Sequence, residues 1–312
     1  MSNMNDSSSS GIFRSIRRRS AYALRHFSPT WRYVFNLRPT LSYRLDRHSL
    51  NTEATRIVKE LNRNGIAITS VERLLGISPI YHELVEAASE LELECTGQID
   101  SARGDVERGV VGHKSFILQL LGNKPRLNPQ SVFARFALQS RVLDIANAYF
   151  GMYTHLRYYN VWHTLTTKGP ARESQLWHYD REDYLILKLF VYLSEVDRDG
   201  GPFTYAPGTH SKGRIRHIPS SFDENGVRRW HDDQMAAAVR PEEWIEATGP
   251  IGTMIFADTS GHHKGGLTRE RDRILFTCMF TSAASQAAEL FERPAQIILP
   301  ADKAQRLALG CH

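Results

Sequence analysis

The chain has 312 residues, 41% of them hydrophobic, enough for one sizeable buried core. Its formal net charge is +5, yet residues 1–50 hold nine Arg, no Lys and two acids, a net of +7 that leaves −2 for the rest. The basic balance therefore belongs to an N-terminal segment. It is no sign of a nucleic-acid-binding core, and no nucleic-acid partner is expected.

That segment opens with the Ser-rich stretch MSNMNDSSSSG, which reads as disordered. IFRSIRRRSAYALRHFSPTWRYVFNL follows, basic and aromatic. It reads as an amphipathic helix in peripheral contact with a membrane or partner, or as a segment packed on the body through Trp31, Tyr33, Phe35 and Leu37. There is no apolar signal-peptide core and no run of 18 apolar residues, so a cytoplasmic protein is expected. The expected division is an arm over 1–50 and one domain over 51–312. Within that domain, Asn51 to Asn62, Pro79 to Glu94 and Pro129 to Phe150 carry helical periodicity, and NGIAITS is a short strand.

From Met152 onward short strands alternate with turn clusters such as DRDGGP, PGTHSKG and HKGG. This predicts an all-β core, barrel-like, with flanking helices toward its N-terminal side. A charged insertion near 212–243 interrupts the strands and reads as a lid or an ordinary solvated loop. It carries Arg214, Arg216, His217, Arg228 and Arg229, which would suit an anionic substrate. Cys95, Cys278 and Cys311 are far apart with no CxxC, which argues against a disulfide framework or a zinc cluster.

The chemistry concentrates in SQLWHYDREDYLILKLFVYLSEVD and, about eighty residues on, TSGHHKGGLTRERDRILFTCMF. His178 and Asp180 are two apart, so an extended chain turns both to one side and one metal ion can take both. Two His and one carboxylate form the facial set of non-haem Fe(II) oxygenases. His231 and Asp233 repeat the His-x-Asp spacing, but within RRWHDDQ, which reads as a solvated loop or short helix. Lys188 breaks an apolar run and either reaches the strand edge or pairs with an anion inside the barrel.

The order WHYD, LKLFVYLSEVD, GGPFTYAPGTH, GTMIFADTSGHHKGG and then Arg273 resembles the phytanoyl-CoA dioxygenase family. The resemblance covers roughly residues 65–284. It implies a double-stranded β-helix (jelly-roll, cupin-like), with Fe(II), 2-oxoglutarate and O2 as cofactor and co-substrates. It implies iron on His178, Asp180 and a His before Arg273, and Arg273 on the far carboxylate of the oxo-acid. His263 lies ten residues before Arg273 and His262 eleven, so spacing leaves both open; the family pattern puts the ligand at His263. It also places Asn160 on the co-substrate pocket, and the barrel-interior reading of Lys188 makes that residue a co-substrate contact. A carboxylate at Asp180 favours hydroxylation of a small-molecule or lipid-like substrate, with release of succinate and CO2. The rival readings are a non-catalytic metal-binding barrel and a metalloenzyme that needs no 2-oxoglutarate.

Overall fold

The computed structural model describes residues 22–108, 116–215, 217–223 and 225–311. The Ser-rich start and Arg216 of the basic insertion lie outside the described residues.

The first described residues are helical, over 22–26, Ser28–Thr30 and Trp31–Phe35, followed by α1 (Leu37–Leu45) and α2 (Thr52–Asn64). Asn51 caps α2 by accepting from the Ala54 amide at 2.7 Å, and Gly65 ends it with φ +83. Then come β1 (Ile66–Ser70), α3 (Val71–Leu75), α4 (Pro79–Glu94), α5 (Thr96–Glu107) and β2 (Ile117–Gln119). The helical stretch expected from Pro129 to Phe150 is two helices, α6 (Val132–Ala137) and α7 (Ser140–Phe150). The break falls at Gln139, whose ψ of 135 is extended. The β core comprises β3 (His155–Thr164), β4 (Leu187–Tyr192), β5 (Phe203–Tyr205), β6 (Ile245–Ala247), β7 (Thr253–Asp258), β8 (His263–Lys264) and β9 (Arg273–Thr281). Short helices α8 (Asp232–Ala236) and α9 (Lys303–Ala308) lie in the insertion and near the C-terminus.

All strand pairs are antiparallel. A six-stranded sheet runs β1-β7-β4-β9-β3-β2, and a smaller one runs β6-β5-β8. Alternation explains the layers. On β4, Leu187, Leu189 and Val191 face a helix-covered core with Leu61, Phe136, Ile145 and Phe276. Phe190 and Tyr192 face the other way and meet Phe203, Tyr205 and Ala247 of the small sheet. The two sheets therefore pack face to face, with helices outside the large one. Cys278 sits in the helix-side core as a small apolar group, free of any disulfide.

Of the two readings left open for the basic aromatic segment, Trp31 follows the packed one. Trp31 is 2% exposed, packs between Phe150 and Tyr184, and donates from Nε1 to Asp183 at 2.6 Å. Trp31 is core material despite the surrounding arginines, whereas Tyr33, Phe35 and Leu37, expected to pack with it, are exposed. The insertion, likewise, is not only a solvated lid. Ile215, Ile218, Trp230, Met235 and Val239 build a second apolar cluster with Trp177 on the outer face of the small sheet. No described helix is long and apolar enough to cross a membrane.

Candidate metal centre

The site is built on the small sheet. Residues 177–178 lie beside β8, and His178 and His263 exchange both backbone bonds at 2.9 Å. Directly opposed residues of an antiparallel pair send their side chains to the same face. Their rings accordingly meet, with centroids 4.3 Å apart. Asp180, two residues on, shares that face, its backbone amide held by the Thr259 carbonyl at 2.8 Å. The intervening Trp177 and Tyr179 point outward, Trp177 into the insertion's apolar cluster and Tyr179 against its rim. One ligand atom from each of His178, Asp180 and His263 lies within 4.8 Å of the others. A single ion with bonds of about 2.1 Å can gather such a set.

The donors are prepared for an ion. His178 Nδ1 lies 2.9 Å from the Leu176 carbonyl, and His263 Nδ1 lies 2.9 Å from the Gly261 carbonyl. A carbonyl only accepts, so each Nδ1 carries the proton and each Nε2 keeps its lone pair. Burial pushes both imidazoles toward the neutral form, His178 well below its usual range and His263 to about 4. Burial alone would raise the Asp180 carboxyl. The Lys188 ammonium, 2.6 Å away, together with the two neighbouring imidazoles, offsets that burial and holds the group below the usual carboxylate range. Asp180 does the converse for Lys188, raising it against a burial that would lower it. Lys188 thus ends on the carboxylate of Asp180.

Arg273 heads β9 opposite Thr164 and is 4% exposed. Its guanidinium donates to the Gly201 carbonyl and, at 3.5 Å, to Thr164 Oγ1, while Nε has no partner. The adjacent Asp272 faces away and is filled by His163 at 2.7 Å, Arg103 at 2.6 Å and the Thr166 amide at 2.9 Å. Among the described residues no acid lies within ion-pair distance of Arg273. Asn160 shares the inner face with Arg273 by strand alternation. Its amide, however, is occupied at the β2 turn, donating to the Gly122 carbonyl at 2.8 Å and accepting from the Leu121 amide at 3.3 Å. These contacts tie it to the sheet edge.

His262 and His231 fall elsewhere. His262 points to the outer face, its ring 4.9 Å from Tyr179 and 4.7 Å from Trp230. It is buried, and desolvation lowers it to about 3. His231 is exposed at the start of α8, where its amide bonds the Gln234 side chain. Motif reading missed the direct Asp180–Lys188 contact. Its only signal was a cation in a strand otherwise entirely apolar from Leu185 to Leu193.

No family model matches the chain, and no curated protein sequence matches it. Solved structures resemble it distantly. The non-heme alpha-ketoglutarate-dependent epimerase SnoN from nogalamycin biosynthesis is 16% identical, over 74% of this chain and 84% of its own, at a TM-score of 0.44. EctD from S. alaskensis with bound Fe is 16% identical, over 80% and 91%, at 0.47. HygX from Streptomyces hygroscopicus, with nickel and 2-oxoglutarate bound, is 18% identical, over 75% and 88%, at 0.45.

Proposed function

We propose that the chain is an Fe(II)- and 2-oxoglutarate-dependent oxygenase on a double-stranded β-helix, acting on a small-molecule or lipid-like substrate. The reading rests on one combination. Two imidazole lone pairs and an ionised carboxylate share the inner face of the sandwich with a second buried cation, Arg273, that lacks an acid partner among the described residues. A buried guanidinium without a counter-ion is costly, and an oxo-acid supplies one.

His178, Asp180 and His263 would hold the iron, leaving one side of it open. Iron with the oxo-acid would supply O2 activation, yielding succinate, CO2 and an oxidised substrate. The chain's own residues do the rest. The Leu176 and Gly261 carbonyls fix the tautomers of the two imidazoles. Lys188 keeps Asp180 ionised and aimed. Arg273 would grip the distal carboxylate in a fork that fits its plane. The aromatic wall of Trp162, Phe190 and Phe203 excludes water beside His263.

The test is an anaerobic titration with Fe(II) and 2-oxoglutarate, read by the metal-to-ligand charge-transfer band, followed by succinate release. His178→Ala and His263→Ala should abolish the band, whereas His262→Ala and His231→Ala should keep it. Arg273→Ala should still bind iron but lose about 2–5 kcal/mol of oxo-acid affinity. Turnover without 2-oxoglutarate, or unchanged oxo-acid affinity in Arg273→Ala, would overturn the reading.

A further inference from the structure

The insertion joins the site through an isolated antiparallel β-bridge. Trp177 and Trp230 exchange backbone bonds at 3.1 and 3.0 Å, in antiparallel pairing. The next pair along is His178 with Arg229. It is a non-hydrogen-bonded pair, the kind in which opposed side chains come closest and share a face. Neighbouring contacts agree with this register. Arg228 reaches Tyr179 Oη at 2.9 Å on the outer face, and the Arg229 amide turns away to the Ser221 carbonyl at 3.2 Å. Arg229 therefore stands on the inner face, flanking His178 on the side opposite His263. Its charge is felt at both imidazoles, and the Asp180 charge is felt at Arg229.

Arg229 is half-buried and poorly satisfied. Nη1 donates to the Arg228 carbonyl at 2.9 Å, and the buried Nε has no partner. No carboxylate among the described residues lies within ion-pair distance of it; Asp223 and Glu173 act on it only through longer-range charge. The site also has cations to spare. Iron, Asp180 and a dianionic oxo-acid together carry less negative charge than Lys188, Arg273 and Arg229 offset. Beside the Asp180–Lys188 pair the wall is apolar, made of Tyr158, Trp162, Ile186 and Met279.

We infer that Arg229 docks an anionic group of the substrate, a carboxylate or a phosphate, beside the candidate metal centre, with the substrate's apolar body along the wall of Tyr158 and Met279. This rests on the oxygenase reading above for what is done to that substrate. A guanidinium fork binds either oxyanion through paired, charge-assisted hydrogen bonds. Its place on a bridged segment of the insertion would couple substrate arrival to the seating of that segment.

The experiment uses octanoate, octyl phosphate and octanol as probes, titrated by calorimetry into the full chain loaded anaerobically with Fe(II) and saturating 2-oxoglutarate. At least one anion should bind about tenfold or more tighter than octanol. Arg229→Gln should erase that preference while the charge-transfer band persists, and Arg229→Lys should keep part of it. Preference for octyl phosphate over octanoate, or the reverse, identifies which oxyanion the site takes. Equal binding of anions and octanol, or a preference that survives in Arg229→Gln, overturns the inference. If the band never forms in the unaltered protein, the oxygenase reading fails instead. Titration of the protein loaded with Fe(II) alone then still decides Arg229, by the same comparison with Arg229→Gln.

Discussion

An ammonium in a strand flanked by Leu187, Leu189 and Phe190 needs a strong counter-charge, because burying it alone costs several kcal/mol. Lys188 finds that charge in Asp180, 2.6 Å away. The two are therefore mutually dependent before any metal arrives. Asp180→Ala should destabilise the metal-free protein by about 3–5 kcal/mol, since it strands the ammonium beside two imidazoles. Adding Lys188→Met to that variant should recover much of the loss. Urea unfolding of the singles and the double closes the cycle, and a strictly additive result would mean that the pair is not coupled. At this scale the sequence told much. Strand context separated His178 from His231, because only the first lies between apolar runs. Spacing left His262 and His263 open, and the choice needed the register: opposition to His178 carries His263 inward and its neighbour outward. The face of Asn160 follows from alternation, whereas its bond to the Gly122 carbonyl had no signal in the sequence.

Elements were legible where a period ran long. α4 has the bounds its apolar spacing predicts, while α5 follows it with only Ile99 fully buried and left too weak a pattern to read. The expected single helix before β3 breaks because Gln139 turns extended, so that α6 and α7 present separate apolar faces, Phe136 on one and Val142 and Ile145 on the other. The α2–β1 junction is set by Gly65. Its φ of +83 disfavours any side chain, and an added Cβ would collide with Tyr205 Oη and the His210 ring. Tyr205 Oη also donates to the Asp258 carbonyl at 2.7 Å, which links this corner to the end of β7 just before the turn that leads to His263 on β8. Gly76 has a similar φ of +70 with open space around it. At ψ −146 the Gly76 backbone is one that essentially only glycine adopts, so Gly76→Ala should cost about 1–3 kcal/mol from the backbone alone. Gly65, at ψ −3, is left-handed, so Gly65→Ala should cost about 1–2 kcal/mol for the backbone and a further packing penalty of about 1–3 kcal/mol. Equal unfolding midpoints for the two variants would show that the corner yields to the extra methyl group.

At the scale of the whole molecule, what composition could not reveal is which charged segments close the fold. Residues 22–50 left a surface helix and a packed segment both open, and the insertion a lid or a solvated loop, since arginines dominate their average. Each nevertheless lends a few large apolar side chains to a core that the sheets leave uncovered, Trp31 on one side and Trp230 with Met235 on the other. Trp31 bears directly on the site. Its acceptor, Asp183, sits three residues after Asp180 and also takes the Ser282 amide at 2.7 Å and the Tyr184 amide at 2.8 Å. One buried carboxylate thus joins the N-terminal segment, the chain leaving His178 and Asp180, and the end of β9. Removing the indole empties space between Phe150 and Tyr184 and deprives that carboxylate of a donor. Trp31→Ala should cost about 3–5 kcal/mol. Trp31→Phe, which keeps most of the ring but no N–H, should lose about 1–3 kcal/mol. Chemical denaturation of the full chain measures both. An unchanged midpoint for Trp31→Ala would return residues 22–50 to the status of a loose arm. The graded loss instead would make the segment part of the frame that holds Asp180 in place, and iron affinity should then fall in the same order, Trp31→Ala below Trp31→Phe.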